Sequence, residues 1–159
     1  MRRNPFLKAD RIVISKLYGN TAVLTYRVRV RSYDAAAGEF AETEFPFVRT
    51  VHISEPSEVS EGIVDGKNYL KGDLTAEIAY LELKQSLDAQ PGDPAVTVGG
   101  EPKTLAELRP MTVMKSGIDT RLDTLEYGGT VYRFVKVKPK HVYANTASIF
   151  RLQLREGTE

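Results

Sequence analysis

The chain has no cysteine and no tryptophan, and only two histidines, His52 and His141, in 159 residues. Without cysteine there is no disulfide framework and no thiolate metal site. Zinc needs three or four converging ligands, and two histidines far apart in sequence do not supply them. No acid stands at triad or ligand spacing from either one, so both read as ordinary surface or loop residues. No stretch approaches the roughly 20 apolar residues of a membrane span. Met1-Arg2-Arg3 is basic but no apolar run follows, so no secretory signal is expected. No serine lies in a G-x-S-x-G elbow. Gly99-Gly100 runs into Glu101-Pro102, which is unsuited to cradling a phosphate. The carboxylate pairs Glu42/Glu44 and Asp119/Asp123 have the composition for acid–base work or a divalent cation, but such pairs are far more often solvated faces. The expectation is no enzyme, no metal and no cofactor.

What is present is charge in separate blocks. The net charge is only +1. Residues 1–31 carry Arg2, Arg3, Lys8, Arg11, Lys16, Arg27, Arg29 and Arg31 against Asp10 alone. Residues 34–65 carry Asp34, Glu39, Glu42, Glu44, Glu55, Glu58, Glu61 and Asp65 against Arg49 alone. Residues 128–155 hold no acid, only Arg133, Lys136, Lys138, Lys140, Arg151 and Arg155. A basic–acidic–basic chain can fold its opposites together, or present them to a polyanion or to other copies.

The length predicts one domain. Within 1–159, residues 1–68 read as N-terminal strands plus an acidic loop, and residues 69–159 as a β-barrel core. The class is mainly β: a small antiparallel barrel or sandwich, one or two short helices, and an additional N-terminal sheet or arm. Residues 1–7 read as a loose arm and 10–18 as a strand with Ile12 and Ile14 on one face. Residues 21–33 form the longest strand candidate, with Leu24, Tyr26, Val28 and Val30 facing one way and Thr25, Arg27, Arg29 and Arg31 the other. Residues 34–38 make a hairpin loop. The return, 39–47, contains Pro46, which suggests a bulge or a sheet edge. That hairpin would lay Glu42 and Glu44 near Arg31 and Arg29.

Residues 55–68, EPSEVSEGIVDGKN, read as a flexible surface loop or linker. Residues 74–80 alternate as a strand, while Leu74, Ile78, Leu81 and Leu83 also approximate helical spacing, so both readings stand. A short helix over 81–89 ends at Pro91-Gly92. Thr104 with Glu107 three residues on has capping-box spacing and opens a helix over 104–109. Residues 121–127 and 130–138 form a hairpin about Gly128-Gly129, where a tight turn needs positive φ. Pro139 should stop that ladder, having no N–H to give. Residues 148–155 form a last strand with Phe150, Leu152 and Leu154 on one face.

The C-terminal pattern GIDTRLDTLEYGGTVYRFVKVKPK…IFRLQLR resembles the head-completion proteins of tailed bacteriophages, the stopper or head–tail connector family. Asp123, Leu125, Tyr127, Gly128-Gly129, Tyr132, Val135 and Val137, closed by Leu152-Gln153-Leu154-Arg155, carry that resemblance, and Tyr69-Leu70-Lys71-Gly72-Asp73-Leu74 adds to it. It implies a virion protein of the neck, made in the host bacterial cytoplasm and located at the head–tail junction. It further implies a homo-oligomeric ring, hexamer or dodecamer, joined to portal or adaptor on one side and to tail terminator or tail tube on the other. Packaged double-stranded DNA would pass non-specifically through the lumen, with no membrane involved.

Under that reading Arg27, Arg29, Arg31, Arg133, Lys136, Lys138 and Lys140 are candidate DNA-facing or intersubunit bases. Glu39, Glu42, Glu44, Glu55, Glu58 and Glu61 are candidate acidic intersubunit residues. Ordinary exposed ion pairing of the arginines with Glu42 and Glu44, worth a few tenths of a kcal/mol each, competes with it. The alternative function is an OB-like single-stranded nucleic-acid-binding module. It would use Tyr132 and Phe134, placed by simple alternation on the face of the lysines, as a stacking platform. Aromatics are also commonly core.

Overall fold

The computed structural model describes residues 4–14, 19–58, 62–64, 67–69 and 72–157. Alternation builds its frame. Strand β1 (Asn20–Asp34) buries Ala22, Leu24, Tyr26 and Val28 on one side. Strand β2 (Glu39–Ile53) returns beside it and buries Phe47, Arg49, Val51 and Ile53 on the same side. The pairing sets Arg29 against Glu44 and Arg31 against Glu42, the register expected from the turn. Pro46 does not interrupt β2, because β2 is the edge of the sheet.

After β2 come β3 (Ser57–Glu58), β4 (Gly62–Val64) and β5 (Lys67–Tyr69). The expected linker over 55–68 thus carries three short strands. Glu61, Asp65 and Gly66 lie outside the described residues. Strand β6 (Leu74–Ala79) gives way at Tyr80 to helix α2 (Tyr80–Ser86), so the two readings of this stretch apply to successive segments. A hairpin of β7 (Val96–Val98) and β8 (Glu101–Lys103) leads to α3 (Leu105–Leu108). Thr104 and Glu107 close the capping box there. Strands β9 (Thr124–Tyr127), β10 (Thr130–Lys140) and β11 (Ile149–Glu156) complete the chain.

Seven strands form one antiparallel sheet in the order β2-β1-β9-β10-β11-β6-β3. The N-terminal strands join it where β1 pairs β9. The sheet curls until Ser54 N–H donates to the Glu77 carbonyl at 2.8 Å and Glu77 N–H to Ser54 Oγ at 2.7 Å. Among the described residues no ladder joins the two ends, so the result is a barrel-like sheet rather than a closed barrel. Its concave side holds one apolar core. Leu24, Tyr26, Val51 and Ile53 meet Ile78, Leu125, Phe134, Phe150, Leu152 and Leu154 there, with Leu83, Leu87, Val96 and Leu105 packed among them.

Three local expectations are corrected. The stretch 10–18 is not a strand where it is described: helix α1 (Phe6–Ile12) runs through its start. Pro5 at the helix start supplies the helical φ without wasting an N–H. Ile14 then packs with Ala79 and Ile149. Residues 4–7 are not loose either. Asn4 is buried and its amide donates to the carbonyls of His141 (3.0 Å) and Thr146 (2.7 Å). Lastly, Pro139 does not stop β10, which runs to Lys140 with Pro139 opposite Phe150. Strand β9 accompanies β10 only as far as Arg133, so the missing proline N–H falls on an open edge.

Gly117 is a tight point of this packing. An added Cβ would lie 2.8 Å from the Arg109 carbonyl and 3.4 Å from a Leu87 methyl. Backbone cannot yield as a flexible side chain does. Gly117→Ala is expected to cost about 1–3 kcal/mol, the ordinary penalty of overpacking, measured as a lower denaturant midpoint.

Candidate functional site

The tip half of the β1–β2 hairpin stands clear of the core. Every side chain from residue 31 to residue 44 is exposed. On one face of this arm Glu44 lies between Arg27 (3.5 Å) and Arg29 (3.2 Å). Arg31 lies over the Phe40 ring at 4.4 Å, and Tyr33 meets the same ring edge-on with centroids 5.3 Å apart. Glu39 sits opposite Asp34 beside the turn. Tyr33 is 60% exposed and Phe40 58%, so these contacts do not remove the aromatics from water. Exposed pairs and cation–π contacts of this kind contribute up to about 1 kcal/mol each. Such contacts order side chains but do not by themselves supply the arm with a core.

The fold therefore brings together Arg27, Arg29, Arg31, Glu39, Glu42 and Glu44. Glu55 and Glu58 are exposed on the segment around β3, at the other end of the sheet order. Glu61 lies outside the described residues.

The second basic strip is set by a bulge. The β10–β11 register shifts between Phe134 and Lys136. One extra residue in a strand sends the next side chains to the other face. Phe134 is buried and Tyr132 and Val137 pack against the core. Lys136, Lys138 and Lys140 consequently lie on the opposite face, paired across with Gln153, Arg151 and Ile149. Arg133 lies opposite Arg155. Simple alternation put Tyr132 and Phe134 with the lysines, and this is corrected: Phe134 is not available to stack on a base. The sequence neighbourhood of this strip has no acid, but the fold supplies some. Glu77 meets Arg151 at 3.3 Å, and Asp73 meets Arg155 at 2.9 Å.

Three polar locks were not read from sequence, although Asp123, Asp73 and Arg155 were named there for other reasons. Arg49 is 1% exposed. Its guanidinium donates to both Asp93 oxygens (2.6 and 2.8 Å) and to the carbonyls of Ser86 (2.6 Å), Val48 (3.1 Å) and Asp88 (3.2 Å). The signal was parity: Arg49 stands at an inward position between Phe47 and Val51. Asp123 accepts from Arg109 Nη1 (2.6 Å) and Nη2 (3.0 Å), and from the backbone N–H of Arg27 (2.9 Å) and Asp119 (2.7 Å). Burial pushes its carboxyl up, and Arg109 and those amides oppose the push. Asp73 accepts from Arg155 and Gln153, and raises the guanidinium of Arg155 further.

The hydrogen bonds from Arg49 hold Asp93 below the usual carboxylate range. A depressed folded value stabilises the fold above the unfolded carboxylate's value of about 3.9. That contribution is lost as pH falls through the lower folded value. Circular dichroism against pH is expected to show acid destabilisation below about pH 4. Asp93→Asn should remove that share of the pH dependence.

Each histidine gains an acid that its sequence neighbours did not offer. His52 Nδ1 lies 3.1 Å from Glu82, which also accepts the His52 backbone N–H, and His141 Nδ1 lies 3.1 Å from Asp10. A half-open groove of about 820 Å³ between α1 and α2 is lined by Lys8, Arg11, His52, Glu82 and Gln85 among others. Several of its polar groups pair with one another: Arg11 pairs with Glu82 at 3.6 Å and donates to Gln85. Among the described residues no three His, Asp or Glu side chains are grouped as metal ligands, and no helix is long and apolar enough to cross a membrane.

No family model and no curated protein matches the chain. Among solved structures it is similar to a chain of the "Virion of native gene transfer agent (GTA) particle". The two are 13% identical, with a TM-score of 0.38 over 89% of this chain and 97% of that one.

Proposed function

We propose that this chain is a structural protein of a phage-type particle. It forms a homo-oligomeric ring at the head–tail junction, joins portal or adaptor to tail, surrounds the DNA and performs no chemistry. One observation carries the reading. Most residues behind the stopper resemblance, Asp123 through Tyr132, Val135, Val137 and Leu152 through Arg155, fall on one continuous unit, β9-β10-β11, with Asp123 locked at its root by Arg109, while Tyr69 and Leu74 stand in β5 and β6. The exposed arm supports it, since a ribbon without a core of its own suits contact with a neighbour. Segregated charge suits a heterologous interface, which joins unlike surfaces and closes into a ring.

The experiment is electron microscopy of the purified protein, alone and mixed with the portal complex from the same particle. Closed rings that dock coaxially on the portal are expected. A species that stays monomeric and never joins the portal contradicts the proposal. The single-strand-binding alternative loses its platform with Phe134 buried.

A further inference from the structure

Strand β1 is 15 residues long, yet β9 covers only Val23, Leu24 and Thr25 on its far side. In a strand, alternate residues direct N–H and C=O to opposite edges. Val23 and Thr25 face β9, so Arg27, Arg29, Arg31 and Tyr33 face the same edge beyond it. Arg27 shows this parity directly. Its N–H donates to Asp123 Oδ1 (2.9 Å) and its carbonyl accepts from Arg109 Nη2 (2.7 Å). A side-chain ion pair therefore takes the place of a strand at Arg27. Past that point, among the described residues, no strand pairs with Arg29, Arg31 and Tyr33; Arg29 and Arg31 border a groove that Arg121 and Leu122 also line.

The outer edge of β2 has the same layout. His52 N–H points away from β1, to Glu82. Counting back by twos, Pro46, Glu44, Glu42 and Phe40 also face outward. Pro46 has no N–H to offer, and it lies opposite Arg27. Both edges of the ribbon are thus closed at one level, each by its own device, and both are open beyond it.

We propose that these two open edges pair with each other between copies of this chain. The edge at 29–33 of one copy takes the edge at 40–44 of the next, antiparallel, giving one sheet that passes from subunit to subunit. This rests on the ring reading above. Rotation about an axis along the arms keeps the level, so Arg29 faces Glu44, Arg31 faces Glu42 and Tyr33 faces Phe40 of the neighbouring copy. Charge identifies the occupant as a second copy in this orientation. Within one arm Arg29 and Arg31 have Glu44 and Glu42 on one side only. Joined arms give them acids on both sides, in a row that alternates sign around the assembly. Pairing like edges instead would set Arg against Arg, or Glu against Glu, which is unfavourable.

The absence of cysteine makes the test clean. Chains bearing only Arg31→Cys are mixed with chains bearing only Glu42→Cys and oxidised. Directly paired residues have Cα atoms about 5.5 Å apart, within disulfide reach. Cross-linked dimers are expected in the mixture and in neither variant alone. Cross-links in one variant alone overturn the pairing. Closed rings without cross-links in the mixture also overturn it, and leave the ring reading standing. Cross-linked open filaments support the pairing and overturn the ring. Chains that do not associate overturn both. Glu44→Pro is the second arm. It removes an outward N–H that the ribbon itself does not use, together with the two exposed ion pairs of Glu44, so the thermal midpoint should fall only by the little those pairs contribute while assembly is lost. Wild-type assembly of Glu44→Pro overturns the proposal.

Discussion

Arg49→Met is expected to destabilise the fold by about 3–5 kcal/mol, the cost of breaking a buried ion pair from one side. The substitution fits the volume but leaves Asp93 without its cation and the carbonyls of Ser86 and Asp88 without that donor. Those groups lie in the 86–93 turn, which closes α2 onto β2. A double variant, Arg49→Met with Asp93→Leu, removes the orphaned charge as well and should recover part of the loss, because a pair replaced whole costs far less than a pair broken. Chemical denaturation of the four species reads this directly, with the midpoint moving at constant m-value.

The second large effect is expected at Asp123. Asp123→Ala leaves Arg109, whose side chain is only 11% exposed, without a carboxylate. It also strips the acceptor from two backbone amides, Arg27 and Asp119. The cost should again be about 3–5 kcal/mol. This site differs from Arg49 in where the damage spreads. Asp123 substitutes for a strand beside β1, so its loss should raise hydrogen exchange at the Arg27 amide more than at Val51 in the core of the same sheet. Asp123→Asn keeps an acceptor and the shape, and should fall between the wild type and the alanine variant.

Much of the fold was legible because it follows from alternation. The β1–β2 register, including Arg29 with Glu44, came from turn length and parity, which local sequence determines. The capping box at Thr104 and the hairpin at Gly128-Gly129 were equally local. What failed was context. Pro139 was read as a stop because its neighbour strands could not be known; with β9 ending early, proline fits. Phe134 and the lysines were placed on one face because a bulge leaves no clear mark in VYRFVKVKPK, and one inserted residue reverses every later side chain. Helix α1 was missed because its docking contacts lie far along the chain: Arg11 meets Glu82 and Gln85 of α2, and Asp10 meets His141 and Ser148. Of the candidate site residues, those on the hairpin were brought together by local pairing. Arg49, Arg109 and Asp73 needed the whole fold to find their partners.

We propose that the molecule acts by joining copies of itself through exposed backbone and alternating charge. Native mass measurement over a range of protein concentrations tests it most directly. The account predicts one discrete, closed multiple of the chain mass that Glu44→Pro abolishes. A single-chain mass at every concentration, for the wild type as for Glu44→Pro, would contradict it.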